Sequence, residues 1–126
     1  MKKAKYFYLL RRGFFSGGGA AGLLDTYTGA AAAYSLRKLS SDYSGNAITV
    51  TTDGIDSQDI GFSGSNLDTA ALESFAGSGD AYVSTWYDQS GNSRNFTQST
   101  FANMPKIVSS GSTITQNSKP IVEFDG

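Results

Sequence analysis

One segment constrains the fold more than any other: an apolar stretch that leads directly into a cluster of turn-forming residues. Residues 82–87 are aromatic and β-branched and include Trp86, the only tryptophan, which predicts a strand. Residues 88–95 are rich in Asp, Asn, Ser and Gly, which bend a chain by bonding to their own backbone. A strand that ends in such a loop is typical of a shaped loop held on a packed scaffold.

Elsewhere the sequence predicts short strands joined by turns. Fifteen glycines and many Ser, Thr and Asn residues disfavour long helices. The β-branched and alternating segments predict further strands over residues 46–52, 105–109, 112–116 and 119–124. In the last of these, Glu123 is expected to face away from the core. The sequence therefore predicts a mainly β fold of sandwich type with one or two short helices.

Two helices are predicted within this body. An alanine run favours a short helix over residues 30–39. A second helix is predicted over residues 67–76, with Asp68 as its N-cap and Ala71, Leu72 and Phe75 on one face. Gly77 is expected to end it.

The absence of two residue types excludes several kinds of site within this chain. There is no Cys and no His, so disulfides, thiolate metal sites and a Ser-His-Asp triad are excluded. Asp56 and Asp59 lack the spacing and closing Glu of a calcium loop, so we interpret them as turn carboxylates. We expect no metal and no cofactor.

The N-terminus differs from the rest of the chain in charge. Residues 1–12 contain five basic residues and no acid, whereas the remainder has five basic and eleven acidic residues. We therefore predict that residues 1–15 form a basic-aromatic anchoring arm. Its candidate anchoring residues are Lys2, Lys3, Lys5, Tyr6, Phe7, Tyr8, Arg11, Arg12, Phe14 and Phe15.

Three alternatives exist for this arm. It docks on a partner protein, folds back as a strand of its own domain, or binds nucleic acid or anionic lipid. The interleaved aromatic residues favour burial in protein over a purely electrostatic contact, so nucleic acid and membrane are the weaker alternatives.

Residues 16–22, rich in Gly and Ala, predict a flexible joint to the body, residues 23–126. No Gly-Lys-Ser/Thr follows them, which argues against a phosphate-binding loop.

Several segments, taken in order, resemble a known family. They are residues 24–37, 58–62, 67–72, 85–92, 105–107 and 119–126. The most specific is Tyr87-Asp-Gln-Ser-Gly-Asn92. Together they resemble the N-terminal part of the α-L-arabinofuranosidase B catalytic domain, and more closely the tailed-phage virion proteins that carry this module. A lectin-like form of the β-sandwich is what this resemblance implies. The arm lies outside the resemblance, and the Asp125-Gly126 turn signal leads us to expect a longer polypeptide.

The resemblance carries no catalytic residue into this chain. The family's enzymes usually have cysteines here and place their catalytic carboxylates further along. After Asn92 they tend to continue with Gly and Asn-His, where this chain has Ser93-Arg-Asn-Phe. Glycoside cleavage needs two facing carboxyls, one with a raised pKa. The local candidates are Asp80, Asp88, Glu123 and Asp125, which we interpret as loop and turn residues.

The central loop allows two interpretations. Asp88, Gln89, Ser90 and Asn92 would hydrogen-bond a sugar that stacks on Trp86 or Tyr87. Alternatively, Asp88 and Asn92 accept backbone N–H groups in a self-bonded turn and Trp86 belongs to the core. We favour the second. Arg94 is a candidate partner for Asp88.

These observations lead to three hypotheses about function. The first is a structural component of a tailed-phage virion (a fibre, spike or decoration protein) whose arm anchors it to capsid, portal or tail proteins. Such a protein would be located in the virion, form homo-oligomers and in some cases meet a host surface glycan. The second is the N-terminal segment of an arabinofuranosidase-like glycosidase. The third is a carbohydrate-binding module without chemistry.

Overall fold

The computed structural model describes residues 21–125. The anchoring residues predicted between Lys2 and Phe15 lie outside this range, as does most of the joint. The proposed division into arm, joint and body therefore stays a prediction.

The described chain is mainly β, which confirms the predicted fold class. Its helices are α1 (Leu23–Thr26) and α2 (Thr69–Ala76), with a 3₁₀ turn at Phe101–Asn103. Its strands are β1 (Ile48–Thr51), β2 (Ser57–Ile60), β3 (Phe62–Ser63), β4 (Asn66–Leu67), β5 (Ala81–Trp86), β6 (Phe96–Thr97), β7 (Lys106–Ser109), β8 (Ser112–Thr113), β9 (Thr115–Gln116) and β10 (Lys119–Pro120).

An antiparallel sheet in the order β2-β1-β5-β7-β8 forms the body, and β6 also pairs with β5. Ile48 in β1 lies opposite both Ile60 and Trp86, which puts β1 between β2 and β5. Two small ribbons, β3–β4 and β9–β10, complete the β structure. The long strand β5 thus runs through the middle of the sheet and delivers the loop that follows it.

The core lies on one face of this sheet, beneath helix α2. Ile48 and Val50 alternate with outward-facing Thr49, as expected of a half-buried strand. Helix α2 adds Leu72 and Ala76 to the same buried cluster. Burial of each large aliphatic side chain contributes about 1.5–3 kcal/mol, so these contacts hold the helix on the sheet.

The predicted strand over residues 82–87 and the second predicted helix are confirmed. Asp68 caps α2, with its carboxylate accepting the Ala71 N–H at 3.0 Å. Gly77 ends the helix at a φ of 62°, a left-handed conformation that glycine adopts at low cost. Glu123 is exposed, as expected, but Phe124 is exposed too because the last predicted strand is regular only at Lys119–Pro120.

The helix predicted over residues 30–39 is wrong. This segment is extended, with a single bridge from Arg37 to Asn66. Its backbone groups bond to a distant loop instead of to one another, so tertiary contacts override the alanine propensity. Residues 112–116 are also split into two strands, and Asp59 lies on β2 where a turn was expected.

Candidate functional site

The loop after β5 begins with two buried polar residues. β5 ends at Trp86, so Asp88 lies past the strand and its side chain does not follow the alternation of the sheet. Asp88 and Gln89 are only 4% and 3% exposed. Buried polar side chains need hydrogen-bond partners, and the partners here come from residues 30–39 and from the loop itself.

Asp88 organises the turn. Its Oδ1 atom accepts N–H groups from Ala33 at 2.8 Å and from Ser90 at 2.8 Å. Its Oδ2 atom accepts the Arg94 N–H at 3.0 Å and the Ser90 hydroxyl at 2.9 Å. Desolvation opposes ionisation of this carboxyl, but the backbone donors of Ser90, Arg94 and Ala33 outweigh it and lower the pKa of Asp88 to about 2. Asp88 is therefore a structural carboxylate.

Gln89 holds the extended segment at four points, three through its side chain and one through its backbone. Its Oε1 atom accepts the Leu39 N–H at 2.8 Å. Its Nε2 atom donates to the carbonyls of Ser35 at 3.1 Å and Arg37 at 3.0 Å. Its own backbone N–H donates to the Ala33 carbonyl at 2.8 Å. One side chain thus provides hydrogen bonds to backbone groups that would otherwise be buried without partners.

The remaining loop residues bind the start of the same segment. The Asn92 amide donates to the carbonyls of Ala30 and Ala31, both at 3.0 Å. The Arg94 guanidinium also donates to the Ala31 carbonyl at 3.0 Å. We call Asp88, Gln89, Asn92 and Arg94 the loop clamp. The clamp joins residues that are fifty or more positions apart.

The favoured interpretation of this loop needs two changes. Asn92 donates hydrogen bonds through its amide, whereas we expected it to accept backbone N–H groups. Arg94 does reach Asp88, but through its backbone N–H and not through its guanidinium.

Trp86 and Tyr87 lie on opposite faces of the sheet. Trp86 packs against the core, and its Nε1 atom is buried without a hydrogen-bond partner. The Tyr87 hydroxyl donates to the Asp59 carboxylate at 3.3 Å, and the Thr49 hydroxyl donates to the same oxygen at 2.6 Å. The rings of Trp86 and Tyr87 therefore cannot both contact one sugar ligand.

A cleft of about 880 Å³ opens beside Trp86. Its wall is mainly apolar, with Leu36, Ile121 and Val122 among its residues. Glu73 also lines it, and the N–H of Thr113, bonded at 2.7 Å, lowers the pKa of the Glu73 carboxyl. None of the four residues of the loop clamp lines this cleft.

Two of the four candidate local acids, Asp80 and Asp88, have a lowered pKa. Asp80 forms an ion pair with Lys106 at 2.8 Å, and the hydrogen bond from that ammonium lowers the pKa of Asp80. Asp88 is held ionised by the loop. A general acid at neutral pH needs a raised pKa, which is the opposite shift. Within residues 21–125 no group of three or more acidic side chains could hold a metal, and no helix has the length and hydropathy of a membrane span.

No protein-family model, curated protein or solved structure matches this chain. The resemblance to the arabinofuranosidase B module therefore stays a prediction. The fold and the site define a mainly β module with an internally bonded polar loop.

The sequence pattern indicated this loop but did not indicate that it binds residues 30–39. Nothing in the alanine run of residues 30–33 indicated an extended segment with unsatisfied backbone groups. Gln89 makes the most hydrogen bonds to that segment. Its position two residues past the predicted apolar strand was the sequence feature that could have marked it as a buried, bonded residue.

We expect the Asp88→Asn substitution to destabilise the protein by about 1.5–3 kcal/mol, because an amide has only one acceptor oxygen. Its NH2 group would face either the Ala33 and Ser90 N–H groups or the Arg94 N–H, and those donors would lose their acceptor. The folded pKa of about 2 lies below the reference value of 3.8. The stabilisation by Asp88 is thus complete above pH ~4 and is lost as the pH falls towards ~2.

Urea unfolding at several pH values measures both effects. The wild-type midpoint should fall over this acid range, and the fall should be smaller in Asp88→Asn. Asp42→Asn, at an exposed carboxylate, is the matched control and should behave like the wild type. Equal pH profiles for wild type and Asp88→Asn would contradict the role of Asp88.

Proposed function

We propose that this chain is a structural component of a tailed-phage virion, with a non-catalytic β-rich body displayed behind an N-terminal anchoring arm. The observation that carries the non-catalytic part is the loop clamp. In the segment that most resembles the family, the carboxylate of Asp88 and the side-chain amides of Gln89 and Asn92 are hydrogen-bonded to the chain's own backbone. A loop bonded in this way supports the shape of the body and offers few groups to a substrate.

The virion assignment is supported by the sequence. The body resembles modules of tailed-phage virion proteins, and the arm combines five basic residues with aromatic residues suited to burial in a partner. In this proposal the arm contacts capsid, portal or tail proteins, the joint lets the body project, and the assembled protein is a homo-oligomer.

The glycosidase alternative has less support. Retaining and inverting glycosidases both need a pair of carboxyls across one sugar, one of them protonated at working pH. Asp80 is tied to Lys106, and Asp88 is tied to three backbone donors, so both stay ionised. Neither Asp80 nor Asp88 therefore suits the role of the protonated carboxyl of such a pair.

Gradient-purified phage particles test the assignment directly. We expect mass spectrometry to find peptides of residues 23–125 in the particle fraction, in a constant ratio to the major capsid protein. A variant with Lys2, Lys3, Lys5, Arg11 and Arg12 changed to Glu should be lost from the particles, because its arm charge is reversed. Recovery of the wild-type chain only in the soluble fraction would contradict the proposal.

Glycan binding is a second candidate function, favoured by the cleft beside Trp86. Because Trp86 is the only tryptophan, its fluorescence reports occupancy of the cleft without a label. Titration with host surface polysaccharide should shift the emission if a sugar enters, and Leu36→Lys in the cleft wall should abolish the shift. An unchanged spectrum would remove this candidate.

A further inference from the structure

We propose that one end of the sheet docks a basic peptide segment of a partner protein. The docking surface is formed by the tip of the β1–β2 hairpin, the 3₁₀ turn and the segment after β10. We call it the acidic face, and it consists of Ile55, Asp56, Phe101, Glu123, Phe124 and Asp125. The acidic face belongs to the body, so this inference goes beyond the proposed function, in which the arm makes the contacts with virion proteins.

The strand register brings these distant segments to the same end of the sheet. Thr51, the last residue of β1, lies opposite Ser57 in β2 and Tyr82 in β5. Tyr82 lies opposite Lys106 in β7, and Lys106 in turn forms a bridge with Glu123. The hairpin tip and residues 123–125 therefore extend from the same end of the sheet.

Phe101 connects the hairpin tip with the segment after β10. The backbone of Gly54 packs against its side chain, where a Cβ atom at Gly54 would lie 3.1 Å from the Cβ of Phe101. The Phe101 ring also meets the Tyr82 ring edge-on, with 5.0 Å between the centroids. Phe101 and Phe124 line one pocket of about 400 Å³. The hairpin tip and this pocket therefore form one continuous surface.

Ile55 is 85% exposed at the hairpin tip although its side chain is large and apolar. Hydrogen bonds fix the turn that carries it: Oδ1 of Asp53 accepts the N–H groups of Ile55 at 2.9 Å and Asp56 at 3.0 Å, and the Thr51 hydroxyl accepts the Gly54 N–H at 2.8 Å. Because this turn is held before binding, little conformational entropy is lost when a partner covers Ile55. Exposed apolar side chains with a polar rim are typical of an interaction site.

The charge of the acidic face determines the kind of partner. Residues 53–56, 99–105 and 120–125 contain four acids and no basic residue. Two of these acids, Glu123 and Asp125, line the pocket beside Phe101. None of the four forms an ion pair within residues 21–125. A peptide that carries positive charges beside apolar side chains is complementary to this surface in both respects, whereas a second copy of the same face would bring like charges together.

Lys106 shows how a cation is held at this pocket. Its ammonium group lies 5.7 Å from the centroid of the Tyr82 ring and donates to the Asp80 carboxylate at 2.8 Å. The hydrogen bond to Asp80 raises the pKa of Lys106 and so keeps this ammonium charged and in place. Glu123 and Asp125 stay available to a second cation. The pocket thus offers aromatic walls and two carboxylates to the guanidinium or ammonium group of a partner.

A short peptide with blocked ends, in which arginine and leucine alternate, tests this docking. Its counterpart carries glutamate in place of arginine. Each peptide is titrated into the purified full-length protein while amide NMR shifts are followed. We expect the arginine peptide to shift the amides of Ile55, Phe101 and Phe124 saturably, with an affinity that falls severalfold between about 50 and 200 mM salt because salt screens the charges. The glutamate peptide should leave these amides unchanged.

Substitutions on the acidic face separate its two contributions. Asp56→Asn and Glu123→Gln should each weaken binding of the arginine peptide about threefold, since each removes one attracting charge. Ile55→Ser should weaken it about fivefold, since an apolar contact is lost. The matched controls are Asp42→Asn, at an exposed acid elsewhere, and Leu23→Ser, at another exposed aliphatic residue, and neither should change the affinity. All five positions are exposed, and thermal unfolding checks that each variant is folded.

Two measurements without peptide identify the occupant. The amides of Ile55, Phe101 and Phe124 should have the same shifts at low and high protein concentration. They should also have the same shifts in the wild type and in a full-length variant with its five arm cations changed to Gln, namely Lys2, Lys3, Lys5, Arg11 and Arg12. A dependence on concentration would show that a second copy covers the face, and a difference in the variant would show that the arm covers it.

Either of those results would overturn the proposal of a separate partner. The absence of saturable shifts with the arginine peptide would overturn it too, as would equal affinities for the wild type and the acidic-face variants. The test uses the isolated protein, so its failure leaves the virion assignment untouched, and absence of the chain from particles leaves this docking untouched.

Discussion

The structure depends on the hydrogen bonds between the loop clamp and the extended segment over residues 30–39. That segment has neither helical nor sheet partners for most of its backbone, so its polar groups must bond to side chains. Asp88 and Gln89 supply those bonds from a buried position just after the central strand. Without these hydrogen bonds, residues 30–39 would not be held over the end of β5, and their backbone groups would have to hydrogen-bond to water.

The same contacts use most of the hydrogen-bonding capacity of Asp88 and Gln89. A carboxylate that accepts three backbone N–H groups is stabilised in its charged form, which is the reason for the low pKa of Asp88. An amide that uses both its oxygen and its nitrogen internally, as Gln89 does, has little capacity left for a ligand. These two side chains therefore act on the shape of the loop and of residues 30–39.

The parts of the fold that local sequence could predict are those determined by local contacts. β5, helix α2 and the Asp68 cap depend on alternation, on periodicity and on a side chain three residues from its partner. The conformation of residues 30–39 depends on a loop fifty or more residues away. The alanine run reports only local propensity, and it therefore indicated a helix. Gln89 was recognised as a loop residue, but its partners could not be identified, because nothing near it in the chain marks them.

Hydrogen exchange of a Gln89→Ala variant tests the clamp most directly. The account predicts that the amide of Leu39, which donates to the Gln89 side chain, exchanges at least about tenfold faster than in the wild type, while amides within β5 keep their protection. Gln116→Ala, at an exposed glutamine on β9, should leave all of these rates unchanged. Unaltered exchange at Leu39 in Gln89→Ala would contradict the claim that this side chain holds the segment in place.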